Sequence, residues 1–371
     1  MISVFFWLSK RILQLPLLFF YFLPIWGKES PQAILVTGGA GYIGTQTCKA
    51  LTEAGFRPII YDNLTNGHAE AVKWGILEEG DLSDREKLSE TIDKYHPIAV
   101  IHFAAFKAVG ESVKDPAKYY LNNVCGSVIL LDVMREKAVS KIIFSSTATV
   151  YGQTSTFSPL KETDPCLPIN PYGTSKWMVE KIIEDFRRAY GLQYAVLRYF
   201  NVAGADLKTE CGERGYSPQN LIPIVLQVAS QKRQMLEIFG NDYPTKDGTA
   251  IRDYVHVVDL ADAHVKALQY LLQGKPSVIL NLGTGKGVSV KEVIETACSV
   301  TQRPIPIKEA PRREGDPVFL TADFQLAKKV LGWEPKHSHL KTIIESEWNW
   351  IQLQEPKPHS VPVCVPLPVP D

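Results

Sequence analysis

The sequence predicts an α/β protein: a doubly wound parallel sheet followed by a smaller C-terminal α/β lobe. Three observations carry this. Short apolar, β-branched runs alternate with helix-length stretches from residue 33 to residue 199. The first of these runs ends in a glycine-rich turn that opens a helix. A later run ends in a string of hydroxyl residues, at the strand end where open sheets keep their ligand crevice.

The first strand is Ala33-Ile34-Leu35-Val36-Thr37, apolar throughout as a buried parallel strand should be. It runs into Gly38-Gly39-Ala40-Gly41-Tyr42-Ile43-Gly44, a G-x-x-G-x-x-G spacing, and helical residues follow. Gly38 turns the chain tightly, Gly41 lets backbone approach a diphosphate, and Gly44 lets the helix pack close to the strand. A helix N-terminus then faces the phosphates. The second strand, 57–61, ends at Asp62, close to where an acid accepts from the adenosine ribose hydroxyls. A carboxylate there repels a 2′-phosphate, so NAD is expected over NADP. Arg57 should lie at the far end of that strand.

Gly80-Asp81-Leu82 marks a third strand end. Residues 100–105 form another buried strand running into small residues, and His102 within it is expected to be a packed residue, not a base. Residues 118–137 predict one long helix, apolar all round, so buried on all sides: against the sheet and against either its own chain or a second subunit. The strand 141–144 leads into Ser145-Ser146-Thr147-Ala148-Thr149. Asn170-Pro171 has the chemistry of a helix cap followed by a first helical residue. Tyr172 and Lys176 then share one helix face, where an ammonium favours the phenolate and makes a proton acceptor. The last strand of this half is 193–199. Gly283-Thr284-Gly285 resembles a second nucleotide turn but is expected to be only a turn.

The chain has 371 residues, enough for two lobes, with 40 acidic and 40 basic residues and no long charge run. That gives no footprint for nucleic acid or for an electrostatic membrane patch. Six scattered cysteines form no Cys-x-x-Cys pair, which points to neither a zinc site nor a disulfide framework and fits a reducing compartment. Residues 1–25 are strongly apolar, but the run at 12–26 contains Pro16 and Pro24 and is shorter than the ~20 residues of a comfortable membrane span. Membrane contact is expected, if anywhere, only through residues 1–26, and the cytoplasm is the expected location. The tail from residue 356 is rich in Pro and Val and is expected to be extended.

Together, Thr37 to Gly44, Asp62-Asn63-Leu64, Ser145-Ser146-Thr147 and Tyr172-x-x-x-Lys176 resemble the extended short-chain dehydrogenase/reductase superfamily. Residues 102–112, Arg198-Tyr199-Phe200-Asn201, 239–245, 247–249, 252–256 and Arg312-Arg313-Glu314-Gly315-Asp316 resemble the UDP-glucose 4-epimerase family within it. The resemblance spans roughly 33–352. It implies that Tyr42 and Ile43 flank the glycine turn on NAD, joined by Asn66 beside Asp62 and Asn63, by Asp81 and Leu82 at adenine, and by Phe103, Ala104, Lys107 and Asn122. Tyr172 and Lys176 would serve catalysis, Lys176 also touching the nicotinamide ribose, and Thr147 would bond the sugar 4-hydroxyl. Asn201, Asn220 and Leu221 would meet the nucleotide sugar, Phe239 would stack on uracil, Arg252 and Arg313 would pair with the diphosphate, and Asp316 with the uridine ribose. Leu320 falls near the family's size-determining position.

The resemblance also implies an organisation: an apolar extension at 1–31, a Rossmann-type NAD domain at 32–200, a mainly UDP-sugar-binding lobe at 201–353 and a Pro-rich tail at 354–371, assembled as a homodimer. The implied reaction is an isomerisation, with transient oxidation at sugar carbon 4 and return of hydride to the other face. The related dehydratases carry an Asp-Glu pair after the Ser-Thr stretch. Here Ala148 and Thr149 stand in its place, and neither can supply an elimination's acid and base. A UDP-sugar 4-epimerase for N-acetylated or pentose sugars stays open, as does a non-catalytic NAD-binding protein, which would be expected to lose Tyr172 or Lys176.

Overall fold

The structure is a computed structural model that describes residues 30–153, 157–215, 220–313 and 317–354. The apolar N-terminal run, the Pro-rich tail and Asp316 lie outside the described residues. The described residues from Gln32 onward make one compact unit.

Its centre is a seven-stranded parallel sheet. In chain order the strands and helices are β1 (Ala33–Thr37), α1 (Tyr42–Glu53), β2 (Arg57–Asp62), β3 (Ile76–Glu79), α2 (Arg85–Tyr95), β4 (Ala99–His102), α3 (Val109–Lys114), α4 (Pro116–Tyr119), α5 (Gly126–Glu136), β5 (Lys141–Thr147), α6 (Pro171–Tyr190) and β6 (Gln193–Tyr199). The chain continues with β7 (Asn201–Ala203), α7 (Leu221–Ala229), β8 (Leu236–Phe239), β9 (Ile251–Arg252), β10 (Tyr254–His256), α8 (Val257–Leu272) and β11 (Val278–Leu282). It ends with β12 (Val288–Ser289), α9 (Val290–Thr301), β13 (Ile307–Ala310), β14 (Phe319–Leu320), α10 (Gln325–Leu331) and α11 (Leu340–Gln354).

The sheet order is β11-β6-β5-β4-β1-β2-β3, so the winding reverses between β1 and β4. Ligands of doubly wound sheets bind at that reversal, outside the strands' carboxyl ends. Each face of the sheet is covered by helices, because strands such as Ile34-Leu35-Val36 are apolar on both sides. Val36, Leu51, Leu260, Leu268 and Trp333 fill one layer; Leu35, Ile92, Leu130 and Ile183 fill the other. β11 joins this sheet and α8 packs on it, although both follow residue 200.

The remaining strands pair in twos and threes: β7 with β10, β8 with β13, and β9 between β12 and β14. A third core, with Ile222, Leu226, Val293 and Ile343, holds α7, α9 and α11 against them.

The expected long helix at 118–137 differs in one respect. Residues Tyr120–Cys125 form a π turn between α4 and α5. The cause is tertiary: the buried Asn123 amide accepts from Phe106 N at 2.9 Å and donates to Phe106 O at 3.0 Å and to Ser175 Oγ at 3.1 Å. Within one chain Leu121, Cys125 and Val128 of this stretch are exposed.

Candidate active site

The glycine turn is built as its spacing requires. Gly38 has φ +71°, and a side chain there would press within 2.6 Å of Ala104 N, at the end of β4. A methyl on Gly44 would meet the Gly38 carbonyl at 2.4 Å, so only glycine lets α1 start this close to the turn. Gly41 differs: a side chain there would approach nothing nearer than Gly38 O at 3.3 Å, which leaves its outer face open. Gly41 caps α1 without a side-chain hydrogen bond, and the first turn carries no acid. The amides of Tyr42 and Ile43 therefore open a helix N-terminus suited to a diphosphate.

The carboxyl end of β2 supplies the acid. Asp62, nearly buried, accepts from Ala40 N at 3.0 Å and Leu64 N at 2.9 Å. Burial pushes its carboxyl up, and the two amides pull it back. Asn63 donates to Asp81 at 2.6 Å, so the two fix each other beside the turn, with Asn66 exposed and Leu82 buried nearby in sequence. Asn122 donates to Asn123, and Lys107 pairs with Glu213 at 3.1 Å. Open glycine backbone, uncapped amides and a strand-end carboxylate together form a cradle that fits a dinucleotide. As expected, Arg57 lies at the opposite end of β2, paired in register with Ala33.

His102 is a packed residue: Thr37 Oγ1 lies 2.6 Å from Nδ1 and Ser127 Oγ 2.9 Å from Nε2, and burial holds the ring neutral, down to about 3.

Across the switch point, α6 presents the catalytic candidates. Asn170 accepts from Gly173 N at 2.9 Å, Pro171 opens the helix, and Gly191 ends it at φ +74°. Tyr172 is half-buried and hydrogen-bonded to Thr147, the last residue of β5. Thr147 Oγ1 also lies 3.0 Å from Thr149 Oγ1. Lys176 is buried one turn on, donating to Ser145 O at 2.8 Å. The sequence alone places an ammonium beside a phenol and lowers the phenol's pKa. In the structure burial dominates both groups. It pushes the Tyr172 phenol up, against the pull of the Thr147 hydrogen bond, and lowers the Lys176 ammonium to about 7, against the pull of Glu180.

Sequence reasoning passed over the groups behind this pair. Glu180, buried on the next turn of α6, takes a bidentate Arg198 from β6, with Nη2–Oε2 at 2.6 Å, and a hydrogen bond from Ser146. The signal was present: Arg198 interrupts the apolar run 195–199, and an arginine in a buried strand requires a partner.

The smaller lobe gathers the substrate candidates. Arg252 on β9 is in register with Leu320 on β14, and Asn201 N donates to the carbonyl of Asp253 beside it at 2.9 Å. Asn220 caps α7 without spending its side chain on the helix, so the first amides at the Leu221 end have no partner within the helix. The Arg313 guanidinium lies over the Phe239 ring, 3.7 Å from its centroid. Asp253 is the buried centre of the 283–285 turn, accepting from Thr284 N, Thr284 Oγ1, Gly285 N and Ala322 N. That turn's amides are filled by a protein carboxylate, which leaves no second nucleotide site there.

One further loop joins the lobes. Tyr42 donates to Gly204 O, Gln46 to Asp206, and Lys49 to both Asp206 and Glu210. Residues 204–213 thus run from the glycine-turn helix to Lys107, the partner of Glu213.

Comparison with known proteins agrees with this geometry. Residues 34–283 match the model of the NAD dependent epimerase/dehydratase family. The UDP-glucose 4-epimerase of Halalkalibacterium halodurans is 52% identical over 320 residues, covering 86% of this chain and 95% of that protein. The crystal structure of UDP-glucose 4-epimerase from Brucella ovis in complex with NAD superposes with a TM-score of 0.83 at 47% identity, covering 85% of this chain and 97% of that one. The enzyme from Bifidobacterium longum, in complex with NAD+ and UDP, gives 0.82 at 39% identity over 87% and 99%. The chain belongs to the NAD dependent epimerase/dehydratase family and, within it, to the UDP-glucose 4-epimerases.

Proposed function

We propose that the protein interconverts UDP-glucose and UDP-galactose by inverting carbon 4 of the sugar, with NAD held throughout. The carrying observation is the Tyr172–Thr147 pair at the carboxyl end of β5, the neighbour of β4, which flanks the switch point. Gly38, Gly41, Tyr42, Ile43, Gly44 and Asp62 would hold the cofactor, with Asn63, Asn66, Asp81, Leu82, Phe103, Ala104, Lys107 and Asn122 around it. When bound, NAD supplies the oxidant and the reductant at carbon 4, so net redox is zero.

The chain's own residues move the proton. Tyr172 Oη takes it from the sugar 4-hydroxyl and returns it, with the Thr147 hydroxyl holding that oxygen in line. Lys176, buried and one turn away, would lend positive charge near the phenol and so oppose the burial that raises it. Arg252 and Arg313 would anchor the diphosphate through their planar forks while the sugar turns over. Phe239 would stack on uracil once Arg313 leaves its face, and Asn201, Asn220, Leu221 and Asp316 would complete the nucleotide end. Ala148 and Thr149 add no acid–base pair, which favours oxidation and re-reduction at one carbon over elimination.

UDP-galactose incubated with purified protein and no added NAD should yield UDP-glucose, and denaturation should release NAD. No product with NAD demonstrably bound overturns the reading. An N-acetylated UDP-hexose in the same assay tests the space beside Leu320, which packs toward Val150 and Phe200.

We place the protein in the cytoplasm as a homodimer. Among the described residues no helix is long and apolar enough to cross a membrane. Leu121 and Val128, two turns apart, are exposed, as is Met178 on α6. Light scattering of the NAD-bound protein tests the dimer, and fractionation with and without residues 1–30 tests the location.

A further inference from the structure

We infer that the buried Glu180–Arg198 pair is a positioning unit for the reaction, holding the Lys176 turn of α6 against the ends of β5 and β6 and keeping a negative charge one turn from the Lys176 ammonium. The inference rests on the assignment of Tyr172 and Lys176 to proton transfer.

The geometry is specific. Tyr172, Lys176 and Glu180 occupy successive turns of one helix at four-residue spacing, so they form a single stripe. Arg198 reaches both Glu180 oxygens, Nε at 3.0 and 3.2 Å and Nη2 at 2.6 Å. Ser146 donates to Oε1 from between Ser145, whose carbonyl takes Lys176, and Thr147, which bonds Tyr172. One carboxylate therefore sits behind both members of the catalytic pair. Arg198 Nη1 continues outward to Tyr151 Oη at 3.1 Å, and that hydroxyl donates to Asn281 on β11 at 2.7 Å. A lone buried carboxylate would be costly, and the fork of Arg198 makes it tolerable.

The charges around Lys176 can be named from every side. Its own helix contributes Tyr172 and Glu180. β5 contributes the Ser145 carbonyl and the Phe144 ring, 5.0 Å from Nζ. β4 contributes His102, which stays neutral, and β6 contributes Arg198, already engaged by Glu180, and Tyr199, bonded to Ser145. Burial pulls Lys176 down, and Glu180 is the group that pushes it back up. Without Glu180 the ammonium would lose its proton at lower pH, and an unpaired Arg198 would push in the same direction.

The test is kcat against pH for UDP-galactose on NAD-bound enzyme. In Glu180→Gln the alkaline limb should move to lower pH by about one unit, while Glu180→Asp, which keeps the charge, should return it toward wild type. Breaking a buried pair can prevent folding, so the double variant Glu180→Met, Arg198→Met is measured as well, because apolar replacement of both partners is usually tolerated. It should fold and still show the shifted limb. A folded, NAD-loaded Glu180→Gln or double variant with the wild-type limb overturns the inference. So does failure of both to fold, which would make the pair a folding element only. Tyr172→Phe, run alongside, separates the two levels: full turnover there removes the proton-transfer assignment itself, whereas lost turnover with an unmoved limb removes only the role of Glu180.

Discussion

At Tyr172, the proposed proton carrier, the surroundings define where one proton can go. Its oxygen has Thr147 as a partner, and the nearest ammonium is spent on the Ser145 carbonyl. Tyr172→Phe should retain NAD and lose about 10²- to 10⁴-fold in turnover, read from UDP-glucose formation and from NAD released on denaturation. Tyr172, Lys176 and Thr147 were legible in sequence because each lies in a local motif: an Asn-Pro helix start, a four-residue spacing, a strand-end hydroxyl. Glu180, Arg198 and Asn123 were not picked out. Their partners sit on other elements, and a helix stripe or a buried strand shows only that a partner must exist. The direction of the Tyr172 shift was also hidden, since spacing reveals a nearby charge but not how much water the fold removes.

At the level of elements, the glycine turn and α6 follow from sequence almost residue by residue. β1, β2 and β6 begin where the apolar runs do, and α6 starts at Pro171 and ends at Gly191 as cap chemistry requires. Asn170→Ala should cost about 1 kcal/mol in thermal unfolding, because Gly173 N loses its acceptor. The π turn at Tyr120–Cys125 had no such signature. It exists because Asn123 must reach Phe106 and Ser175 at once, a tertiary demand that overrides the ordinary helical repeat. Leu121, within that turn, and Val128, after it, are exposed. Leu121→Lys tests the proposed homodimer: it should shift the NAD-bound protein from dimer to monomer in light scattering while the far-UV circular dichroism stays unchanged.

For the whole molecule, α11 contributes a pH dependence of stability. Glu347 is buried, bonds Gly204 N at 3.0 Å, and is pushed up to about 8 by burial and then by Glu213. The folded state keeps its proton to about pH 8, whereas the unfolded chain releases it near the ordinary value of 4.5. Between those limits the unfolded state binds fewer protons, so stability falls as pH rises, on the order of 1.4 kcal/mol per pH unit from this group. Glu347→Gln still accepts from Gly204 and lacks the ionisation. Its melting temperature should gain on wild type steadily from pH 5 to pH 8, with no gain below the unfolded value.

The loop 204–213 is fastened to α1 through Tyr42, Gln46 and Lys49, and to the stretch after β4 through Lys107. Lys49 and Asp206 are almost wholly shielded from water, with Asp206 and Glu210 holding the ammonium charged against its burial. A seam of this kind opens only by local unfolding, at a rate set by how often a desolvated ion pair breaks. An isomerase that regenerates its own oxidant each cycle needs no exchange with a free pool, so slow opening carries no penalty in turnover.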